Sequence, residues 1–348
     1  MKIKTKYLIF ILSILFIYPI TSCTNDCNCK YLTEKNEIFY KNNYLFSGVC
    51  TETKEGLRRE KHFLNGKFNG KYIIWNNEGQ KVFESFFIDG EKDGVTTIWY
   101  EDGKKCLENT YFEGDKEGTA IVWYENGRQK SNENYSNGII NGKSTECYSN
   151  GKNKFEKNYK DGVKHGEWVS WHDNGQISSE GQYLDGKEYG KWVAWYENGQ
   201  KEKEETFEDG LQNGEWSTWH EDGGIKESGS YDNGYEKDTW TSYHENGKKN
   251  IEKTYENGRL IGDYSEWYKN GQIKIRQKFD NGLSNGICKT WFPNGKAESV
   301  VNYKSGIPEG KFIIYDEEGK IKEKGEFKNG KRVEKEKELP DRDEDPVF

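Results

Sequence analysis

The residues that most often carry chemistry recur in this chain at a fixed spacing rather than gathering at one place. Of the five His, His62, His165, His172, His220 and His244, three (172, 220 and 244) fall in one column of a 24-residue period. Other periods fill that column with Tyr100, Tyr124, Tyr148, Tyr196 and Tyr268, so we read a ring replacing a ring. A stacked metal pair from His220 and His244 lacks the further ligands a site needs. Glu84, Glu108, Glu156, Glu180, Glu204 and Glu252 form an acid column, interrupted by Asn132 and Ser228 and with Lys close to most members. Glycoside hydrolysis requires one special carboxylate pair in a cleft, and a repeated column singles out none. It reads instead as a solvated face that blunts edge pairing. A nucleophilic triad needs Ser or Cys, His and an acid in one pocket, and no phosphate-binding loop is evident among the many Asn-Gly turns. We expect no catalytic activity, no metal and no cofactor.

The rings are the better candidates. All 12 Trp fall in two columns: Trp168, Trp192, Trp216 and Trp240 in one, and Trp75, Trp99, Trp123, Trp171, Trp195, Trp219, Trp267 and Trp291 in the other. Regularly spaced rings on a sheet can stack on sugars or grip an extended peptide, and they can equally well pack against one another. Earlier periods hold Thr96, Ala120 and Ser144 in the Trp168 column. A binding surface is therefore expected at Trp168, Trp192, Trp216 and Trp240.

These columns need an element that repeats. With mean hydropathy −1.09 the chain resembles a solvated polymer, yet 15% aromatic content is that of a packed one. Of 39 Gly, nearly all lie in three columns, starting at Gly66, Gly70 and Gly79 and recurring every 24 residues, with Asp238 breaking the second. A ring precedes each first-column Gly by three residues, from Phe63 to Phe327. Each period reads as two short strands. Around Gly175, Glu167 to His172 is one strand, Asp173-Asn174-Gly175 a tight turn, Gln176 to Tyr183 the next strand, and Asp185-Gly186 opens a longer turn. The fold expected is all-β, an elongated single-sheet antiparallel meander of 24-residue hairpins, each touching mainly its neighbours. A three-residue turn puts Val169, Trp171, Ile177 and Tyr183 on the packed face and leaves the Trp168 column on the other, since a one-residue slip exchanges the faces.

The start of the chain is of a different kind. Lys2, Lys4 and Lys6 precede an almost wholly apolar run from Tyr7 to Ile20, the pattern of a secretory signal and short for a membrane span. Ile20-Thr21-Ser22-Cys23 resembles a bacterial lipobox, in which the Cys becomes the lipidated first residue. This implies a signal peptide over 1–22, Cys23 as the lipidation site, a linker over 23–43, a repeat array over 44–332 and a charged tail over 333–348. Removing residues 1–22, with three Lys and no acid, takes the net charge from −8 to −11, which disfavours nucleic acid. Cys27 and Cys29 lie close in sequence to Cys50, and one bridge clamping the N-terminal region is open to either.

The blocks Gly190-Lys191-Trp192-Val193-Ala194-Trp195-Tyr196-Glu197-Asn198-Gly199-Gln200-Lys201, Trp123-Tyr124-Glu125-Asn126-Gly127-Arg128 and Trp267-Tyr268-Lys269-Asn270-Gly271-Gln272-Ile273-Lys274 resemble the MORN-repeat variant of bacterial YwqK-type proteins. The resemblance covers roughly residues 44–332, with Tyr44 to Gly66 as a shortened opening unit. It implies a non-enzymatic scaffold for protein partners, with an antitoxin or immunity role toward a toxin. The export signal moves that role to the cell envelope, where Cys23 would anchor the chain to a membrane. Binding of glycan or cell wall by the Trp columns is the alternative.

Overall fold

A computed structural model of the chain describes residues 26–333. The signal peptide, Cys23 and, apart from Val333, the charged tail lie outside the described residues. Within them, all regular structure is strand except one 3₁₀ turn, Cys29–Tyr31. Contacts group the chain into two units, residues 26–104 with 111–114, and residues 105–110 with 115–333.

The first unit contains a capped start. Residues 26–43, expected as a linker, are folded: Thr33–Lys35, Ile38–Lys41 and Tyr44–Leu45 form a small antiparallel sheet. Cys27–Asn28 lies parallel to Gly48–Lys54 with Cys27 opposite Cys50. The disulfide joins Cys29 to Cys50, and Cys27 keeps its thiol. Phe46, Cys50 and Phe63 are the buried centre, with Leu32, Phe39 and Phe68 packed around them. Apolar side chains gather here because the first hairpin has no preceding repeat to cover it. The cap also replaces that repeat's hydrogen bonds. Gly66 N–H donates to the Phe46 carbonyl at 2.7 Å, whereas Gly90 N–H donates to Phe68 of the preceding repeat at 2.8 Å.

The second unit is a run of antiparallel strands paired in chain order, including Gly166–Trp171, Ile177–Leu184 and Lys187–Trp195. Two kinds of turn alternate. In the first, Gly175 N–H donates to His172 at 2.9 Å and His172 N–H to Gln176 at 2.8 Å, closing the three-residue loop expected. The second is tighter than expected. Leu184 pairs with Lys187, and Asp185 and Gly186 both take positive φ, 49° and 88°, so the turn has two residues.

The expected assignment of faces holds for Val169, Trp171 and Ile177 but fails for Tyr183, which stands with Trp168, and a bulge is the reason. Trp171 pairs with Ile177 but Ser170 pairs with Ser179, so Ser178 is an extra residue. One extra residue inverts alternation beyond it. Trp168 stands opposite Gly181 and shares its face with Tyr183, while Trp171 joins Val169 on the other side. The same shift recurs next to Trp123, Trp195, Trp219, Trp267 and Trp291. A second irregularity sits at the second glycine column. Gly190, Lys191 and Trp192 together face Gly181, with Gly190 at φ 69°. Asp238 breaks the column in sequence but not in structure, since its φ is 56°.

Consecutive repeats are also joined turn to turn. Asn174 Nδ2 donates to the Glu197 carbonyl at 2.8 Å, and Asn126, Asn150, Asn198, Asn246, Asn270 and Asn294 make the same bond 23 residues ahead. Lys152, Lys248 and Lys296 add an ammonium bond to the next turn. In the second unit, the turn at His220 lacks these bonds to the turn that follows. Asp222 has no amide to donate, Gly224 has no side chain in the lysine's place, and His220 Nε2 is buried without a partner.

Candidate binding face

The candidate surface is the face that carries Trp168, because two ring columns meet there. Trp168 lies 5.7 Å from Tyr159 and 4.7 Å from Tyr183, centroid to centroid, and Tyr183 lies 5.1 Å from Trp192. Trp192 meets Phe207 at 6.5 Å. Trp216 meets Tyr231 at 6.4 Å and Trp240 at 5.0 Å, and Trp240 reaches Tyr255 at 6.3 Å. Most of these pairs are edge-to-face or tilted, the arrangement that ring quadrupoles favour. All four Trp named from the sequence therefore stand on one face, on successive hairpins.

They are not equally accessible. Trp168, Trp192 and Trp216 are half-buried, and Trp240 is 4% exposed, which closes it to a ligand. Trp168 Nε1 donates to the Asn158 carbonyl at 3.1 Å and Trp192 Nε1 to Gln182 at 3.2 Å. Trp240 Nε1 has no partner. Small residues make room for two of the indoles. A Cβ on Gly181 would lie 2.0 Å from the Trp192 ring, and one on Gly229 would lie 2.2 Å from the Trp240 ring. Tyr72, Tyr264 and Phe312 extend the Trp168 column, and Gly325 lies under Phe312 as Gly181 does under Trp192. The signal for this was glycine outside the three periodic columns, at 181, 229 and 325. In the first unit the equivalent places hold Ser85 and Thr96, which share a buried hydroxyl hydrogen bond at 2.6 Å.

Cations lie over some of the rings. Lys164 Nζ is 4.7 Å from the Trp168 centroid and 4.5 Å from that of Tyr183. The Tyr183 hydroxyl donates to Glu188 Oε1 at 3.0 Å. Burial first, and then that carboxylate, push the Tyr183 phenol up to about 12.

The opposite face holds the acid column, and Glu84, Glu108, Glu156, Glu204 and Glu252 are each paired with lysine. Glu204 lies between Lys191 and Lys201 at 2.6 and 2.7 Å, and Glu84 between Lys71 and Lys81 at 3.5 and 2.7 Å. The hydrogen bond from Lys81 holds the Glu84 carboxyl below its usual range. Lys201 also lies 5.5 Å over Trp219 and Lys249 5.6 Å over Trp267, so lysine stems cover these two members of the second Trp column. Nothing in this lattice distinguishes one carboxylate as an acid or base.

The His column has a structural part. His172 Nε2 donates to the Trp195 carbonyl at 2.8 Å and His244 Nε2 to Trp267 at 2.9 Å. Tyr124, Tyr148, Tyr196 and Tyr268 donate their hydroxyls to the matching carbonyls at 2.8–2.9 Å. The ring nitrogen thus stands where a phenol otherwise stands. No group of three or more His, Cys, Asp or Glu is placed to hold a metal ion among the described residues.

No curated protein matches the chain. A family model described as the MORN repeat variant matches residues 164–185, 188–209, 212–233, 239–257, 260–281, 284–305 and 308–329. The fourth segment begins late, directly after Asp238, the break in the second glycine column. The hairpins that build the aromatic face from Lys164 onward therefore coincide with seven successive matches to the MORN repeat variant.

Proposed function

We propose that the chain is a non-enzymatic repeat scaffold, exported and held at a membrane through a lipid on Cys23, that binds a protein partner on its aromatic face. The observation that carries this reading is the row of half-buried rings at Trp168, Trp192 and Trp216, repeated on one side of a MORN-variant sheet. Ring-rich surfaces with little conformational entropy to lose are efficient protein-binding surfaces. An antitoxin or immunity role in the cell envelope, with a toxin as the partner, is the specific form we propose.

The test is cross-linking capture from native envelopes with three proteins: the wild type, Trp168→Ala/Trp192→Ala/Trp216→Ala, and Trp171→Ala/Trp195→Ala/Trp219→Ala. Circular dichroism checks that each variant keeps its sheet. One protein captured by the wild type and the second variant, but not by the first, is expected. Equal capture by all three removes the aromatic face from the account. Capture of envelope polysaccharide in place of protein favours the glycan reading, which rests on the same rings. Cys23→Ala should abolish acyl labelling and release the chain from membranes, and unchanged retention defeats the anchor.

A further inference from the structure

The aromatic face changes character from repeat to repeat. Lys92 and Lys116 lie over Tyr111 and Tyr135, at 4.7 and 4.5 Å, as Lys164 lies over Tyr183. Each lysine comes 19 residues before its ring. From there on the column reads Glu188, Gln212 and Glu236. Among the described residues no Lys or Arg lies over Trp192, Phe207, Trp216, Tyr231 or Trp240. Gln212, in the lysine's place before Tyr231, turns its amide to Glu205 at 2.7 Å.

Carboxylates take the cations' place. Glu205 is the cross-strand partner of both Trp192 and Trp216, and cross-strand partners share a face. Glu227 stands opposite Thr218, and Glu236 opposite Tyr231, on the same face. Burial, with Glu236, Glu205 and Glu227, holds the Tyr231 phenol above its usual value, so all three carboxylates act at that ring. Lys203 at 2.8 Å from Glu205 and Lys253 at 3.7 Å from Glu227 offset part of this charge, but neither lies over the rings of Trp216 or Tyr231.

We propose that the stretch around Trp216 and Tyr231 takes a lysine or arginine from a basic segment of the protein partner, held over the rings as the chain's own Lys164 is held over Trp168 and Tyr183. Ring faces attract cations, and flanking carboxylates add to that attraction. This rests on the aromatic face being the docking face.

The experiment measures binding of hexa-arginine, hexa-lysine and hexa-glutamate peptides to the full mature chain, by tryptophan fluorescence and calorimetry at two salt concentrations. Gln212→Lys restores the chain's own ammonium before Tyr231 and should fold, since lysine holds that place in three other repeats. Gln200→Lys makes the same charge change at a turn, where Lys248 stands in another repeat. We expect the cationic peptides to bind, the anionic one not to, and Gln212→Lys to weaken binding by about tenfold where Gln200→Lys does not. Equal effects of the two lysines, or equal binding of the anionic peptide, overturn the proposal. Absence of peptide binding while the aromatic face still captures a partner overturns the cationic class and leaves the docking face standing.

Discussion

Single residues determine whether the aromatic face can close. Gly229 has no room for a side chain, because Trp240 lies flat over it. Gly229→Val should therefore cost about 1–3 kcal/mol, the range for overpacking, read as a lower thermal midpoint. Gly181→Val should behave alike against Trp192. Tyr183 makes a second prediction. Its phenol is neutral in the fold up to about 12, against an ordinary value of 10.0. The contribution is complete below the ordinary value and is lost as pH climbs through the interval between the two. Denaturant unfolding followed across that interval should show stability falling with pH, and Tyr183→Phe should flatten the fall. At this scale much was legible in the sequence. The ring and glycine columns, the Asn-Gly turns and the exchange of His for Tyr all follow from types and spacing. The partners were not, because a hydrogen bond from Asn174 to Glu197 or from His172 to Trp195 depends on how one repeat lies on the next.

Hairpins impose their own constraint. The three-residue turn is as the sequence implies, and yet Tyr183 stands with Trp168 and not with Trp171 and Ile177. Ser178 bulges, and nothing about a serine at that place announces it, since other repeats have Cys106, Lys130, Lys154 and Glu202 there. A bulge is set by twist and by the geometry of the turn beside it, so alternation counted across a turn fails where alternation counted within a strand succeeds. Within Gly166–Trp171 the two sides sort as the sequence implies, Ile177 keeps its place beside Trp171, and the match to the next strand is lost only beyond Ser178. Asp238 shows the reverse case, a break in the sequence that the backbone ignores. Left-handed backbone costs a residue with a Cβ about 1–2 kcal/mol, less for Asp. Asp238→Gly should raise stability by up to about 1 kcal/mol, seen as a shift in the denaturant midpoint with no change in slope. A lower midpoint would show that the aspartate side chain makes a compensating contact.

The molecule as a whole holds its shape through adjacency. A protein built this way has no central core to lose, and its stability is a sum over repeats and the joints between them. The cap around Cys29 and Cys50 ends the series at one side, and its first part, residues 26–43, looks like a linker in the sequence because its strands are too short to show a period. What the joints contribute can be seen where they are missing. At the turn holding His220, Asp222 and Gly224 the bonds to the following turn are absent. Amide exchange followed by mass spectrometry should therefore find the protection boundary of the second unit there, with the strands on either side opening as separate blocks. Asp222→Asn, together with Gly224→Gln, should merge them into one, and an exchange map unchanged by the pair removes the turn bonds as its cause. The second unit, a series of near-identical parts, thus carries a perforation at that turn, and tension or a protease would find it before any other place along the unit.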